Sequence, residues 1–118
     1  MPSLISLDVK VENETAMALY NPCANITICS YKFYQKLCTK LYIPKALTFR
    51  TMTGEGKIIG TFYARVKIFK IEKKIRLFVI HSKNFKQDIL LGLDSITAFR
   101  LCQDYTCKIS QASEENEI

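Results

Sequence analysis

Strict alternation of apolar and polar residues is the feature that most constrains this chain. Ile5, Leu7, Val9 and Val11 are apolar, and Ser6, Asp8 and Lys10 between them are polar. Successive side chains of a strand point to opposite faces, so such a segment is a strand with one face in a core and the other in water. The same period returns at 61–68, where Phe62, Ala64, Val66 and Ile68 alternate with Thr61, Tyr63, Arg65 and Lys67. These segments require a sheet with one covered face.

The segments between them read as short elements. Glu12-Asn13-Glu14 is a turn and Thr15 to Tyr20 the return strand of a hairpin. Asn21-Pro22-Cys23-Ala24-Asn25 breaks the pattern, because proline cannot donate to a ladder, and Ile26 to Cys29 is strand-like again. Ser30 fits the N-cap of a helix over 31–40, with Tyr34, Leu37, Cys38 and Leu41 on one face. Pro44 closes that region, and Leu47 to Met52 reads as a strand. The phase slip at Phe69 and Ile71 indicates a bulge or bend, Glu72-Lys73-Lys74 a charged turn, and Ile75 to Ile80 a strand. Asp88 to Gly92 is a short apolar strand. Asp94 or Ser95 then caps a short helix that packs through Ile96 and Phe99, and Leu101 to Ile109 is a last strand. The expected fold class is mainly β, with seven or eight short strands and one or two short helices.

Composition sets the frame. A chain of 118 residues, 48% apolar and 11% aromatic, suffices for one domain with a core that needs neither disulfides nor metal. The expected domain spans 1–110, followed by an acidic, disordered tail over 111–118 that contains Glu114, Glu115 and Glu117. The five cysteines, Cys23, Cys29, Cys38, Cys102 and Cys107, are odd in number and show no C-x-x-C pair, so no zinc or redox motif is expected. The start of the chain lacks the basic and apolar regions of a secretory signal, and no apolar run approaches ~20 residues. The expected setting is intracellular, cytoplasmic or nuclear, with free thiols. The sequons at Asn13 and Asn25 are then coincidental.

Two segments carry a resemblance. Asp88-Ile89-Leu90-Leu91-Gly92-Leu93-Asp94, followed by Ile96, Phe99 and Leu101, is similar to the I-L-G-x-D strand and helix of the retropepsin family, the aspartic proteases of retroviruses and gypsy-type retrotransposons. Ala18 to Ser30 resembles the family's first catalytic segment: an apolar strand, then Asp-Thr/Ser-Gly-Ala, a second apolar strand and a helix start. The resemblance covers roughly residues 4–110. It implies a closed barrel-type β fold, with Gly54, Glu55, Gly56 and Lys57 in the flap.

The resemblance also implies a chemistry from which the residues depart. In the family each subunit of a homodimer supplies one catalytic Asp, and the two carboxyls share a proton because like charges so close cannot both ionise. Asn21 stands at that position, and a carboxamide neither takes nor gives a proton near neutral pH. Pro22 replaces the hydroxyl residue that ties the two active-site loops together, and Cys23 replaces the glycine. Three consecutive departures argue against a single engineered change. The expectation is a pseudoenzyme: not an enzyme, with no catalytic residues, no cofactor and no metal.

The family's interleaved terminal strands imply a homodimer. Leu4, Ile5 and Leu7 at one end and Cys102, Tyr105, Cys107 and Ile109 at the other are the expected interface, with the former cleft left as a groove for a peptide or protein partner. Two alternatives remain. A residual protease or thiol enzyme would need Cys23 and His81, the only histidine, to meet, and nothing in the sequence joins them. Nucleic-acid binding would use the basic 65–86 segment through Lys67, Lys70, Lys73, Lys74 and Arg76, with Phe69, Phe78 and Phe85 for stacking. The alternation favours a solvated outer strand face, with those phenylalanines in the core.

Overall fold

The computed structural model describes residues 5–37, 57–81 and 85–112. Among the described residues, eight strands and two short helices follow in the order β1 (Ile5–Val11), β2 (Glu14–Tyr20), β3 (Ile28–Ser30), α1 (Tyr31–Tyr34), β4 (Lys57–Ile68), β5 (Ile71–His81), β6 (Ile89–Leu91), α2 (Leu93–Ala98), β7 (Leu101–Gln103) and β8 (Ile109–Gln111). Six of the strands close a barrel in the order β1-β2-β6-β3-β5-β4, and β7 and β8 form a separate two-stranded sheet. No helix among the described residues is long and apolar enough to cross a membrane.

The alternation does what its period requires. Val9 and Val11 of β1, and Phe62, Ala64, Val66 and Ile68 of β4, are buried, while Lys10, Tyr63, Arg65 and Lys67 between them face solvent. Burying a chain of such aliphatic side chains contributes about 1.5–3 kcal/mol each before the cost of ordering them. β1 and β2 pair from Ile5↔Tyr20 to Val11↔Glu14. Glu12 and Asn13, with φ 51° and 73°, form the two-residue loop between them, and two positive φ values match the right-handed twist of the strands. Glu12 is held there from β4: its N–H donates to the Arg65 carbonyl at 2.9 Å, and its carboxylate accepts from the Arg65 N–H at 2.7 Å.

Two expectations are corrected and a third is narrowed. The turn between β4 and β5 is not Glu72-Lys73-Lys74 but Phe69-Lys70, with Ile68↔Ile71 as the closing pair. The run of charges belongs to β5, where Glu72 and Lys74 point to solvent, so charge marked an outer face and not a turn. The phase slip at Phe69 and Ile71 is the bend of the Phe69-Lys70 turn and not a bulge; the register shift in β4 lies between Ile58 and Gly60. The last segment is not one strand over 101–109 but the hairpin β7–β8, turned at 104–108.

The helices are also shorter or differently capped. Ser30 caps α1 as expected, its hydroxyl accepting from the Phe33 N–H at 3.1 Å. Among the described residues the helix ends at Tyr34; Phe33 is its buried side chain, Tyr34 packs partly buried against the core as expected, and Leu37, just beyond the helix, is buried. Cys38, Leu41, Pro44 and the strand expected over 47–52 lie outside the described residues. α2 is capped by Gly92 and not by Asp94 or Ser95, because the helix already starts at Leu93 and both residues lie in its first turn. β8 runs to Gln111, one residue into the expected tail, and residues 113–118 lie outside the described ones.

Candidate functional site

β6 sits between β2 and β3, parallel to the first through Ala18↔Ile89 to Tyr20↔Leu91 and antiparallel to the second through Ile28↔Leu90. The connection from β2 to β3 therefore loops over the end of β6. Asn21, Pro22 and Cys23 occupy that loop.

The loop is a local turn with its own hydrogen bonds. The Ala24 N–H donates to the Asn21 carbonyl at 3.2 Å, and the Asn21 Oδ1 accepts from the Cys23 N–H at 3.1 Å. Asparagine at the first position and proline at the second suit a β-turn, since Asn caps its own backbone and Pro presets φ. Cys23 is not among the residues with positive φ, so this turn places no demand for glycine at that position. The Asn21 N–H is bonded to the Leu91 carbonyl at 3.0 Å, which fastens the turn to β6. Pro22 and Cys23 are exposed.

Beneath the turn lies a polar framework that the sequence reading missed, apart from a structural role for Asp94. The Asp94 carboxylate accepts from the Thr27 N–H at 3.1 Å, from the Thr27 hydroxyl at 2.7 Å and from the Ser95 N–H at 2.7 Å. Thr27 and Ser95 are buried, and their hydroxyls bond to each other. The Thr27 Oγ1 also accepts from the Gly92 N–H at 3.2 Å. A Cβ at Gly92 would stand 2.3 Å from the Ile26 carbonyl oxygen, so only glycine lets the two loops approach this closely. The loops lock further through Leu93 N–H to the Ala24 carbonyl, 2.7 Å, and Asp94 N–H to the Asn25 carbonyl, 3.3 Å. The usable signal in the sequence was Thr27, a polar residue in an otherwise apolar strand.

Chemically, the turn offers a carboxamide, a pyrrolidine ring and an exposed thiol. His81 packs edge-on against the Tyr31 ring, with centroids 5.4 Å apart, and no described hydrogen bond joins it to Cys23. Cys29 is buried: desolvation, then the charge of Asp88, pushes its thiol up to about 12, so it stays protonated. Asp88 itself accepts from the Met17 N–H at 3.0 Å. Among the described residues no three His, Cys, Asp or Glu side chains converge on a metal position. Cys23, Cys29, Cys102 and Cys107 are free thiols.

The expected interface residues divide. Ile5, Leu7 and Ile109 pack partly buried against the barrel core. Cys102, Tyr105 and Cys107 are exposed on the β7–β8 hairpin, Tyr105 at 98%, and Leu4 lies outside the described residues. The hairpin is shaped by Asp104, whose Oδ1 accepts from the Thr106 N–H, the Thr106 hydroxyl and the Lys108 N–H at 2.8, 2.6 and 2.9 Å. Cys107 follows with φ 66°, the left-handed residue of a three-residue loop. Gln111 ties the hairpin to the barrel: its amide donates to the Ile68 and Phe99 carbonyls at 2.8 and 2.9 Å and accepts from the Lys70 N–H at 2.9 Å.

The expected nucleic-acid residues also divide. Lys67, Lys74 and Arg76 share the outer face of β4–β5, Lys70 lies in the turn, and Lys73 is half-buried on the core-facing row of β5. Phe78 is buried, Phe85 half-buried and Phe69 half-exposed at the turn. Of the expected flap, Lys57 begins β4, and Gly54, Glu55 and Gly56 lie outside the described residues.

No family model and no curated protein matches the sequence. Solved structures do match. The chain is similar to the retroviral protease-like domain of Ddi1 from Leishmania major, at 12% identity and TM-score 0.69, over 99% of this chain and 100% of that one. It is similar to EIAV protease complexed with the inhibitor HBY-793, at 14% identity and TM-score 0.66, over 83% and 89%. A retropepsin-like aspartic protease from Rickettsia conorii matches at 20% identity and TM-score 0.62, over 86% and 77%. A closed six-stranded barrel with two short helices, superposing on these domains over most of its length, has the retropepsin-like fold.

Proposed function

We propose that this chain is a non-proteolytic, retropepsin-like pseudoprotease of retroelement origin that acts by homodimerising and by binding a protein segment. The observation that carries the reading is the Asn21-Pro22-Cys23 turn. In a homodimer Asn21 replaces both members of an aspartic dyad at once, and its Oδ1 is already engaged with the Cys23 N–H. Pro22 has neither hydroxyl nor N–H, so its position cannot supply the hydroxyl hydrogen bond that ties two such turns together.

Self-association then rests on the β7–β8 hairpin. A two-stranded sheet is marginal alone, and among the described residues both outer edges of this one are unpaired. Cys102, Tyr105 and Cys107 project from it, and Leu93, 43% exposed, starts the neighbouring α2. Pairing with a second hairpin would satisfy the edges and cover those side chains. The former cleft would take an extended segment by strand addition. Free thiols at all four described cysteines support a reducing setting, cytoplasmic or nuclear.

Sedimentation velocity tests the positive half of this reading. Dimer is expected at concentrations of about ten micromolar, and monomer far above that would overturn it. Tyr105→Ser should shift the equilibrium toward monomer by about tenfold, a loss of the size expected for an exposed aromatic anchor.

A further inference from the structure

The outer face of β1, β4 and β5 carries a basic surface that the sequence reading placed only in part. Its rows follow from the register. Lys10 of β1 stands opposite Lys67 of β4. Arg65 stands opposite Lys74, and Tyr63 opposite Arg76. All six side chains are exposed. Adjacent strands lie about 4.8 Å apart and alternate residues about 6.7 Å apart along a strand, so the six form one continuous patch. Lys10 and Tyr63 join it from outside the run of charges, while Lys70 and Lys73 do not belong to it.

Two of these pairs, Lys10–Lys67 and Arg65–Lys74, set like charges directly opposite, an arrangement that costs stability. The acids nearby only partly offset it. Glu72 makes a solvent-exposed contact of 3.5 Å with Arg65, Glu12 accepts from the Arg65 backbone, and Asp8 faces outward two residues from Lys10. Five cations against these three acids leave an excess of positive charge. A bound anion would relieve it. Tyr63 adds a second feature. It is 52% exposed and is the cross-strand partner of Arg76. The Arg76 guanidinium is itself fixed, 4.9 Å over the Phe78 ring and bonded through Nε to the Thr61 hydroxyl at 3.0 Å. An exposed aromatic ring among exposed cations, one of them held in place, is the pairing that stacks a base while neighbouring charges hold its phosphates.

We infer that the β1–β4–β5 face, through Lys10, Lys67, Lys74, Arg76 and the Tyr63 ring, binds a single-stranded nucleic acid. The occupant follows from charge complementarity together with the ring: an acidic protein would use the cations and leave Tyr63 idle, and a duplex would keep its bases out of reach. This surface is distinct from the turn and the hairpin on which the pseudoprotease reading rests, so either can fail alone.

The test is fluorescence anisotropy of the full chain with labelled oligo(U) and oligo(dT) of about 15 nucleotides, a duplex of the same length, and polyglutamate as competitor, starting at about 50 mM salt. Binding of either single strand is expected, RNA or DNA preference being read from the two arms. Three to four phosphate contacts predict a slope of log K against log salt of about −2 to −3. Lys10→Glu with Lys67→Glu should weaken binding at least about tenfold and flatten the slope by more than about one unit. Tyr63→Ala should weaken it at least about fivefold with the slope unchanged. Glu72→Gln, which removes an opposing charge, should tighten it. The substituted residues are all exposed, and an unchanged thermal melt shows that each variant is folded. Absence of binding at low salt overturns the inference. So does a duplex bound more tightly than either single strand, or a Tyr63→Ala variant that binds like the parent while polyglutamate competes at equal charge.

Discussion

Asp94 holds Thr27 twice, accepting from its N–H at 3.1 Å through one carboxylate oxygen and from its hydroxyl at 2.7 Å through the other. The two residues are 67 apart in sequence, so this contact closes the loop after β2 onto the start of α2. Asp94→Ala leaves the Thr27 N–H and the buried Ser95–Thr27 pair short of partners, and should cost about 2–4 kcal/mol in urea unfolding. Thr27→Val should cost about 1–3 kcal/mol. A double-mutant cycle should show strong coupling, with the two losses far from additive.

Gln111 plays a comparable role at the other end of the barrel. Its single amide satisfies the Ile68 and Phe99 carbonyls and the Lys70 N–H. Gln111→Ala should cost about 1–3 kcal/mol, and hydrogen exchange should report the loss first at the Lys70 amide. Gln111→Glu should cost at least as much, because a carboxylate would face two carbonyl oxygens.

The thiols should separate by reactivity. Cys23, Cys102 and Cys107 are exposed and should be alkylated rapidly near pH 8, as read by peptide mass spectrometry, whereas Cys29 should react only on unfolding. Burial, then Asp88, raises Cys29 to about 12 in the fold, against about 8.5 in the unfolded chain. Its contribution to stability is therefore complete below the lower value and is lost as pH rises toward the upper one. Cys29→Ala should flatten the alkaline decline in stability above about pH 9.

Asp104 gives the opposite sign. The Thr106 hydroxyl and then the Lys108 N–H hold its carboxyl below the usual carboxylate range. The hairpin contacts it makes are present above the ordinary carboxylate value and disappear as pH falls through the lowered one. NMR shifts of the Thr106 and Lys108 amides should hold steady through the ordinary carboxylate range and titrate only below it, and Asp104→Ala should abolish that titration.

The alternating strands were legible because their period states which face is buried, and Asp88 to Asp94 was legible because a short apolar strand ending in glycine is a dense local signal. The Phe69-Lys70 turn was half-legible: the phase slip at Phe69 and Ile71 marked a bend, but neither residue carries turn chemistry, and Phe69 takes φ 54° because the two long strands dictate it. The β7–β8 hairpin was hidden for a related reason. Its turn has no glycine or proline, and Asp104 shapes it through contacts within the loop that a linear pattern does not display. At the candidate site the departures at Asn21, Pro22 and Cys23 were plain in the sequence. The Thr27–Asp94–Ser95 framework was mostly not, because its partners meet only once β6 is inserted between β2 and β3. The basic face was half-visible: Lys10 and Tyr63 enter it through strand pairing.

The central claim is that the Asn21-Pro22-Cys23 turn has no proteolytic chemistry. The most direct measurement is cleavage of a peptide library between about pH 3 and pH 8, where aspartic dyads work. The parent chain should cleave nothing. Asn21→Asp alone should also stay inactive, because Pro22 and Cys23 still shape the turn. Sequence-selective cleavage by the parent chain, abolished by Asn21→Ala or Cys23→Ala, would contradict the account.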